Sequence, residues 1–185
     1  MIEKYRDRWY WNYVSGNKTL PWTSESIEQF KDYWHWRKLS YNPALPWTVE
    51  LMEKYKDRWH WGTISEITPL PMTKALLEQF INYWDWAELS RKHNTTIEPW
   101  DKSQKIEWTI ELIDTFKDYL HWESISVNCV IEWTVESIEQ FKDYWHWDRL
   151  SSNASLPWSE ELIFKYRYRW NWKALSANRS LPWTK

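Results

Sequence analysis

The sequence predicts an all-α protein, built as an α-solenoid of about seven short helix–turn–helix units. Three observations carry that prediction. A 25-residue unit recurs along the 185-residue chain, apolar residues within it fall three and four apart, and its 20 tryptophans lie almost entirely in three columns of the repeat. The phrase Leu-Pro-Trp-Thr begins at Leu20 and returns at Leu45. Related copies begin at Leu70, Ile106, Ile131 and Leu156, and a partial unit occupies 181–185. Met1 enters partway through a unit, so repeats start near 1, 20, 45, 70, 106, 131 and 156. The step from Leu70 to Ile106 is longer by 11 residues, an insertion within 91–105. The expected organisation is one repeat domain over 1–185.

The first helix of each unit should start after a hydroxyl cap: Thr23, Thr48, Thr73, Thr109, Thr134 or Ser159. Such a side chain accepts from a backbone N–H that a helix start leaves unpaired. Glu25, Glu50, Glu111, Glu136 and Glu161 follow two residues later, suiting the positive end of the helix dipole. In the unit 131–155, Ile138, Phe141 and Trp145 then form one apolar stripe, which predicts a helix of about three turns. Trp147 and Leu150 predict a shorter second helix, ended by Ser151 and by Asn153 as a left-handed cap. Pro157 stops it from running on. No single unit can bury its own stripe, whereas stacked units can.

The tryptophan columns are Trp22, Trp47, Trp108, Trp133, Trp158 and Trp183; Trp9, Trp34, Trp59, Trp84, Trp145 and Trp170; and Trp11, Trp36, Trp61, Trp86, Trp122, Trp147 and Trp172. Met72 and Leu120 are the exceptions. Both are core-compatible, so all three columns are expected in the core rather than as stacking platforms for sugars or bases. His35, His60, His121 and His146 share a column in successive units about 8–10 Å apart, too far for a common metal ion and suited to capping the second helix. Carboxylates such as Glu28 with Asp32, and Glu139 with Asp143, recur beside Lys31 and Lys142 and read as a solvated face with local ion pairs.

Composition bounds the chemistry. With 24 Lys and Arg against 26 Asp and Glu, the chain is not a general nucleic-acid coat. Two glycines, Gly16 and Gly62, cannot make a Gly-rich phosphate loop, and one cysteine, Cys129, makes neither a disulfide framework nor a Cys-cluster zinc site. No membrane span or apolar leader is visible, so a cytoplasmic location is expected. Charge is nonetheless uneven: residues 1–19 sum to +2, residues 106–155 to −7 and residues 156–185 to +4. Lys165 and Arg169 could share an outer edge suited to phosphate, though Tyr166 and Trp170 should face the core. Trp100 and Asp101, within the insertion, lie outside the repeat register and stand as candidate contacts, as does Trp183 in the partial unit. Four Asn-x-Ser/Thr sequons, at Asn17, Asn94, Asn153 and Asn178, arise mostly from the repeat's own turns.

The run Asp-Tyr-Trp-His-Trp-Asp-Arg-Leu-Ser-Ser-Asn-Ala-Ser-Leu-Pro-Trp-Ser from Asp143 resembles the Trp-rich short repeats of bacterial proteins and, more loosely, the Pro-Trp-x-Trp-x-x-Leu-Ser-x-Asn repeats of giant-virus proteins. The resemblance spans nearly the whole chain and implies a repeat architecture and a bacterial or viral source. It assigns no catalytic residue. The expected role is a non-catalytic scaffold, without cofactor or metal, that binds a protein partner or assembles head to tail with itself. Nucleic acid is disfavoured as a partner. The alternative is a module that binds a sugar, a nucleotide or single-stranded nucleic acid on its aromatic surface.

Overall fold

The computed structural model describes residues 2–67, 70–91 and 106–183. The described residues contain thirteen α-helices of four to seven residues, one 3-10 segment and no strand. Apart from Arg91, the insertion lies outside the described residues, and with it Trp100 and Asp101. The chain forms two compact units that meet in sequence between Asp85 and Trp86. The first holds the 3-10 segment Glu3–Arg8, then α1 (Trp11–Ser15), α2 (Ser24–Gln29), α3 (Trp36–Ser40), α4 (Val49–Lys54), α5 (Trp61–Ile67) and α6 (Lys74–Gln79). The second holds α7 (Trp86–Arg91), α8 (Ile110–Phe116), α9 (Trp122–Ile125), α10 (Val135–Gln140), α11 (Trp147–Ser151), α12 (Glu160–Lys165) and α13 (Trp172–Ala177).

All six expected N-caps form. Each hydroxyl accepts from the N–H three residues on, at 3.1–3.2 Å. At Thr23 and Thr134 the bond is reciprocal, because Ser26 and Ser137 reach back to the cap N–H. The first helix is shorter than the apolar stripe predicts, closer to two turns than three. It stops at Phe30, Tyr55, Phe80, Phe141 and Tyr166, whose φ near −115° and ψ near 25° leave the α region. A turn then carries the chain to the second tryptophan column.

A helix this short leaves most of its carbonyls without intrahelical partners. Indole N–H groups supply them. The second column reaches back seven residues, from Trp34 to the Ile27 carbonyl at 3.0 Å and from Trp145 to that of Ile138 at 3.2 Å. The third column reaches back five, from Trp36 to Lys31 at 3.0 Å and from Trp147 to Lys142 at 2.9 Å. The first column also reaches back five, from Trp47 to the Asn42 carbonyl at 3.1 Å and from Trp158 to that of Asn153 at 3.0 Å. Tryptophan therefore supplies apolar bulk and one donor together, which phenylalanine cannot.

The repeats are fastened to each other by two small polar residues. Ser15, Ser40, Ser65, Ser90, Ser126 and Ser151 are fully buried. Each accepts from the backbone N–H twenty residues on, or thirty-one across the insertion, at 2.9–3.0 Å. The expected left-handed cap at Asn153 does not form, since no described non-glycine residue has positive φ. Asn153 is instead buried, and its amide donates to the carbonyls of Ser126 (3.0 Å) and Asn128 (3.2 Å) in the preceding repeat. Its oxygen accepts from Ser155 N–H at 2.9 Å. Asn42 and Asn178 repeat the same clamp. A side chain that satisfies two carbonyls of a neighbouring repeat outcompetes the local cap. Among the described residues, the indole N–H groups of Trp84 and Trp108 and the Nδ2 of Asn128 are buried without a partner, while Asn128 Oδ1 accepts from Val130 N–H at 2.9 Å.

The tryptophan columns are not equally buried. Trp34, Trp59, Trp84, Trp145 and Trp170 of the second column are core residues, with Leu120 in the same place. The third column corrects the expectation of a fully buried core: Trp36, Trp61, Trp86, Trp122 and Trp147 are half-buried, and Trp172 is exposed. The five half-buried rings lie across the join to the following repeat. Trp36 meets Trp59 edge-on at 4.8 Å, and Trp147 meets Trp170 at 4.8 Å. The Arg58 and Arg169 guanidinium groups lie over the Trp36 and Trp147 rings, 5.5 Å from their centroids, and the rings remain half-buried.

Candidate functional site

The second helices of the first compact unit border a recess. Helices α1, α3 and α5 pack side by side in the first compact unit. They bound a groove of about 570 Å³ lined by Asn12, His35, Arg37, Lys38, Tyr41, Thr63 and Glu66. Its backbone is fixed from below: Ser15 Oγ holds His35 N–H at 2.9 Å, and Ser40 Oγ holds His60 N–H at 2.9 Å. His35 Nδ1 accepts from Lys38 N–H at 3.3 Å, so the histidine caps α3 as its column suggested. His60 does the same for α5, with Nδ1 2.8 Å from Thr63 Oγ1. Small residues at Gly62 and Thr63 keep the α5 side of the groove low, where the preceding repeat carries Arg37 and Lys38. Arg37, Lys38 and Tyr41 are exposed and form no ion pair among the described residues. The groove thus offers two cations, a phenol and one carboxylate over a hydrogen-bonded backbone.

Lys165 and Arg169 are placed differently from the expectation of an outward edge. Lys165 Nζ lies 2.7 Å from Glu139, and Arg169 binds the Lys142 carbonyl at 2.6 Å and Asp143 at 2.8 Å. Arg169 also lies over the Trp147 ring, 5.5 Å from its centroid. Both cations are therefore turned onto the preceding repeat. The same join recurs at Lys54 with Glu28 (2.7 Å) and Arg58 with Asp32 (3.0 Å). Tyr55 and Tyr166 add hydroxyl donors to Glu28 and Glu139. The bonds from Lys31 and Lys142 above all, followed by those from Lys54 and Lys165 and from the two tyrosines, hold Glu28 and Glu139 down at about 2. Burial and the adjacent carboxylate push the Tyr55 and Tyr166 phenols up. The carboxylates read as a solvated face in the sequence are thus repeat-to-repeat couplings as well.

Trp183 is 66% exposed, and its backbone N–H bonds to the Leu181 carbonyl at 2.8 Å. The structure brings it together with neither Lys165 nor Arg169. Of the groove residues, only His35 is marked in the sequence, as a helix cap. Arg37, Lys38 and Tyr41 occupy positions that vary freely from unit to unit, as Asp148, Arg149 and Ser152 do in the unit 131–155. No family model matches the chain, and no curated protein or solved structure matches it either.

Proposed function

We propose that this protein is a non-catalytic α-solenoid scaffold that binds a protein partner along its second-helix face, with the α1–α3–α5 groove as a recognition element. One observation carries the reading. Buried serines at a constant spacing lock successive second helices together, so side chains along that face are displayed on a rigid, repeating floor. Repeat arrays use such extended surfaces for macromolecular partners. The groove joins charge and an exposed aromatic.

The test is a paired comparison of partners recovered from the native source. Arg37→Glu with Tyr41→Ala should lose a partner that the wild-type chain retains, while its melting curve stays within about 0.5 kcal/mol of wild type, as for other surface changes. Ser152→Glu, at the Tyr41 position of a different repeat, should retain it. An identical partner set for all three proteins overturns the groove assignment.

A further inference from the structure

Second helices bond across repeats where their side chains allow it. In the repeat 131–155, Arg149 of α11 binds Glu123 of the preceding second helix, with Nε at 2.8 Å. Asp148 accepts from the Asn171 amide of the following repeat at 2.9 Å. In the repeat 20–44 the same two positions hold Lys38 and Arg37, both cations. Behind Lys38, Asn12 stands at the Glu123 position and offers no charge. Ahead of Arg37, His60 stands at the Asn171 position, and its Nδ1 is engaged at the start of α5 by Thr63 Oγ1 at 2.8 Å. Neither cation has a carboxylate partner among the described residues, although Lys31, Lys54 and Arg58 beside them are all paired.

Both cations line the α1–α3–α5 groove, and further donors gather around them. His35 Nδ1 accepts from Lys38 N–H at 3.3 Å, so the neutral ring carries its proton on Nε2. Tyr41, 53% exposed, adds a hydroxyl. The one carboxylate of the lining is Glu66, which lies at the Tyr41 position of the next repeat. The groove is therefore cationic at α3 and acidic at its α5 end. Three helices about 8–10 Å apart make it roughly 16–20 Å long, the span of about five or six extended residues.

We propose that this groove takes an extended acidic polypeptide segment, whose carboxylates bind Arg37 and Lys38 and complete the cross-repeat bonds that Asn12 and His60 leave unmade. The assignment rests on the groove being a recognition element and names its occupant. Charge complementarity selects that occupant, because two unpaired cations sit side by side at the middle of the groove. The Arg37 fork suits a carboxylate held through two bonds, and Lys38 adds a point charge beside it. A nucleic-acid strand needs a continuous track of cations. Here the track stops after one helix: Gly62 and Thr63 replace the two cations in the next repeat, and Glu66 repels a phosphate. A short acidic segment gains both cations and places an uncharged residue beside Glu66.

The experiment is an NMR titration of the 185-residue chain with a capped octapeptide of three central glutamates flanked by serines, at low and physiological salt. Controls are the glutamine counterpart of the peptide and an eight-nucleotide thymidine strand. The glutamate peptide should bind, shift the amide signals of Arg37 and Lys38, and weaken as salt rises. Its glutamine counterpart should bind at least tenfold more weakly. Asn12→Glu puts a carboxylate at the Glu123 position, where it pairs with Lys38 from within the chain. That variant leaves both cations in place and should still lose at least tenfold in affinity, with an unchanged melting curve. Glu66→Gln removes the opposing charge and should tighten binding. Absence of binding, equal affinity for the two peptides, indifference to Asn12→Glu, or tighter binding of the thymidine strand overturns the proposal. If the peptide fails while Arg37→Glu with Tyr41→Ala still loses a native partner, the acidic occupant alone is wrong; if the partner set is also unchanged, the groove reading falls with it.

Discussion

Asn153→Gly distinguishes the two roles that an asparagine at this position can have. As a left-handed helix cap, Asn153 would be replaced by glycine at no cost or with a gain. In the structure it has no such backbone and is buried, with three hydrogen bonds: two donated to Ser126 and Asn128 and one accepted from Ser155. At roughly 1 kcal/mol net per bond, losing all three costs about 3 kcal/mol. Two of those bonds cross between repeats, so the loss weakens the join as well as the turn. For a chain of this size, a 3 kcal/mol loss lowers Tm by about 6–12 °C. Thermal and urea melts followed by far-ultraviolet circular dichroism measure it. Wild-type stability or a rise in Asn153→Gly would refute the clamp. Asn42→Gly should behave alike, because its amide makes the same two inter-repeat bonds at 3.1 and 3.2 Å.

Other perturbations test the tryptophans and the carboxylates. Trp145→Ala, at a buried position, should cost about 3–5 kcal/mol in the same melts, whereas Trp147→Ala, at a half-buried one, should cost about 2–3 kcal/mol. Equal losses would show that the half-buried column is as much core as the buried one. Glu28 and Glu139 are held at about 2 against an ordinary 4.5, so their couplings are fully present above about pH 4.5 and fade as pH falls toward 2. Melts across that range should show Glu28→Gln with Glu139→Gln losing less stability on acidification than wild type; parallel curves would contradict the coupling.

The features legible in the sequence were those whose cause is local. A hydroxyl three residues ahead of its N–H partner is visible in one unit, and all six N-caps form. The clamps were not legible, because their partners lie 20 to 27 residues away and Ser151 and Asn153 read equally well as turn residues. The apolar stripe placed Trp147 near the core but could not show that the following repeat packs against its ring. It overran the first helix for a related reason: Phe141 continues the spacing while its backbone leaves the helix. Lys165 and Arg169 were visible as cations, yet the acceptors that turn them inward belong to the preceding repeat. The groove depends on three second helices side by side, and at the positions of Arg37, Lys38 and Tyr41 the repeats vary too freely to mark it in the sequence.

The proposed solenoid makes its sharpest prediction in small-angle X-ray scattering from the 185-residue chain. Six repeat steps of about 10 Å give a rod roughly 60 Å long, and with a radius near 12 Å its radius of gyration is about 19 Å. A compact globule of the same length would give about 16 Å. The account predicts the larger value, with a pair-distance distribution skewed toward long distances and unchanged on dilution. A symmetric distribution at about 16 Å would contradict stacking of the repeats into one array.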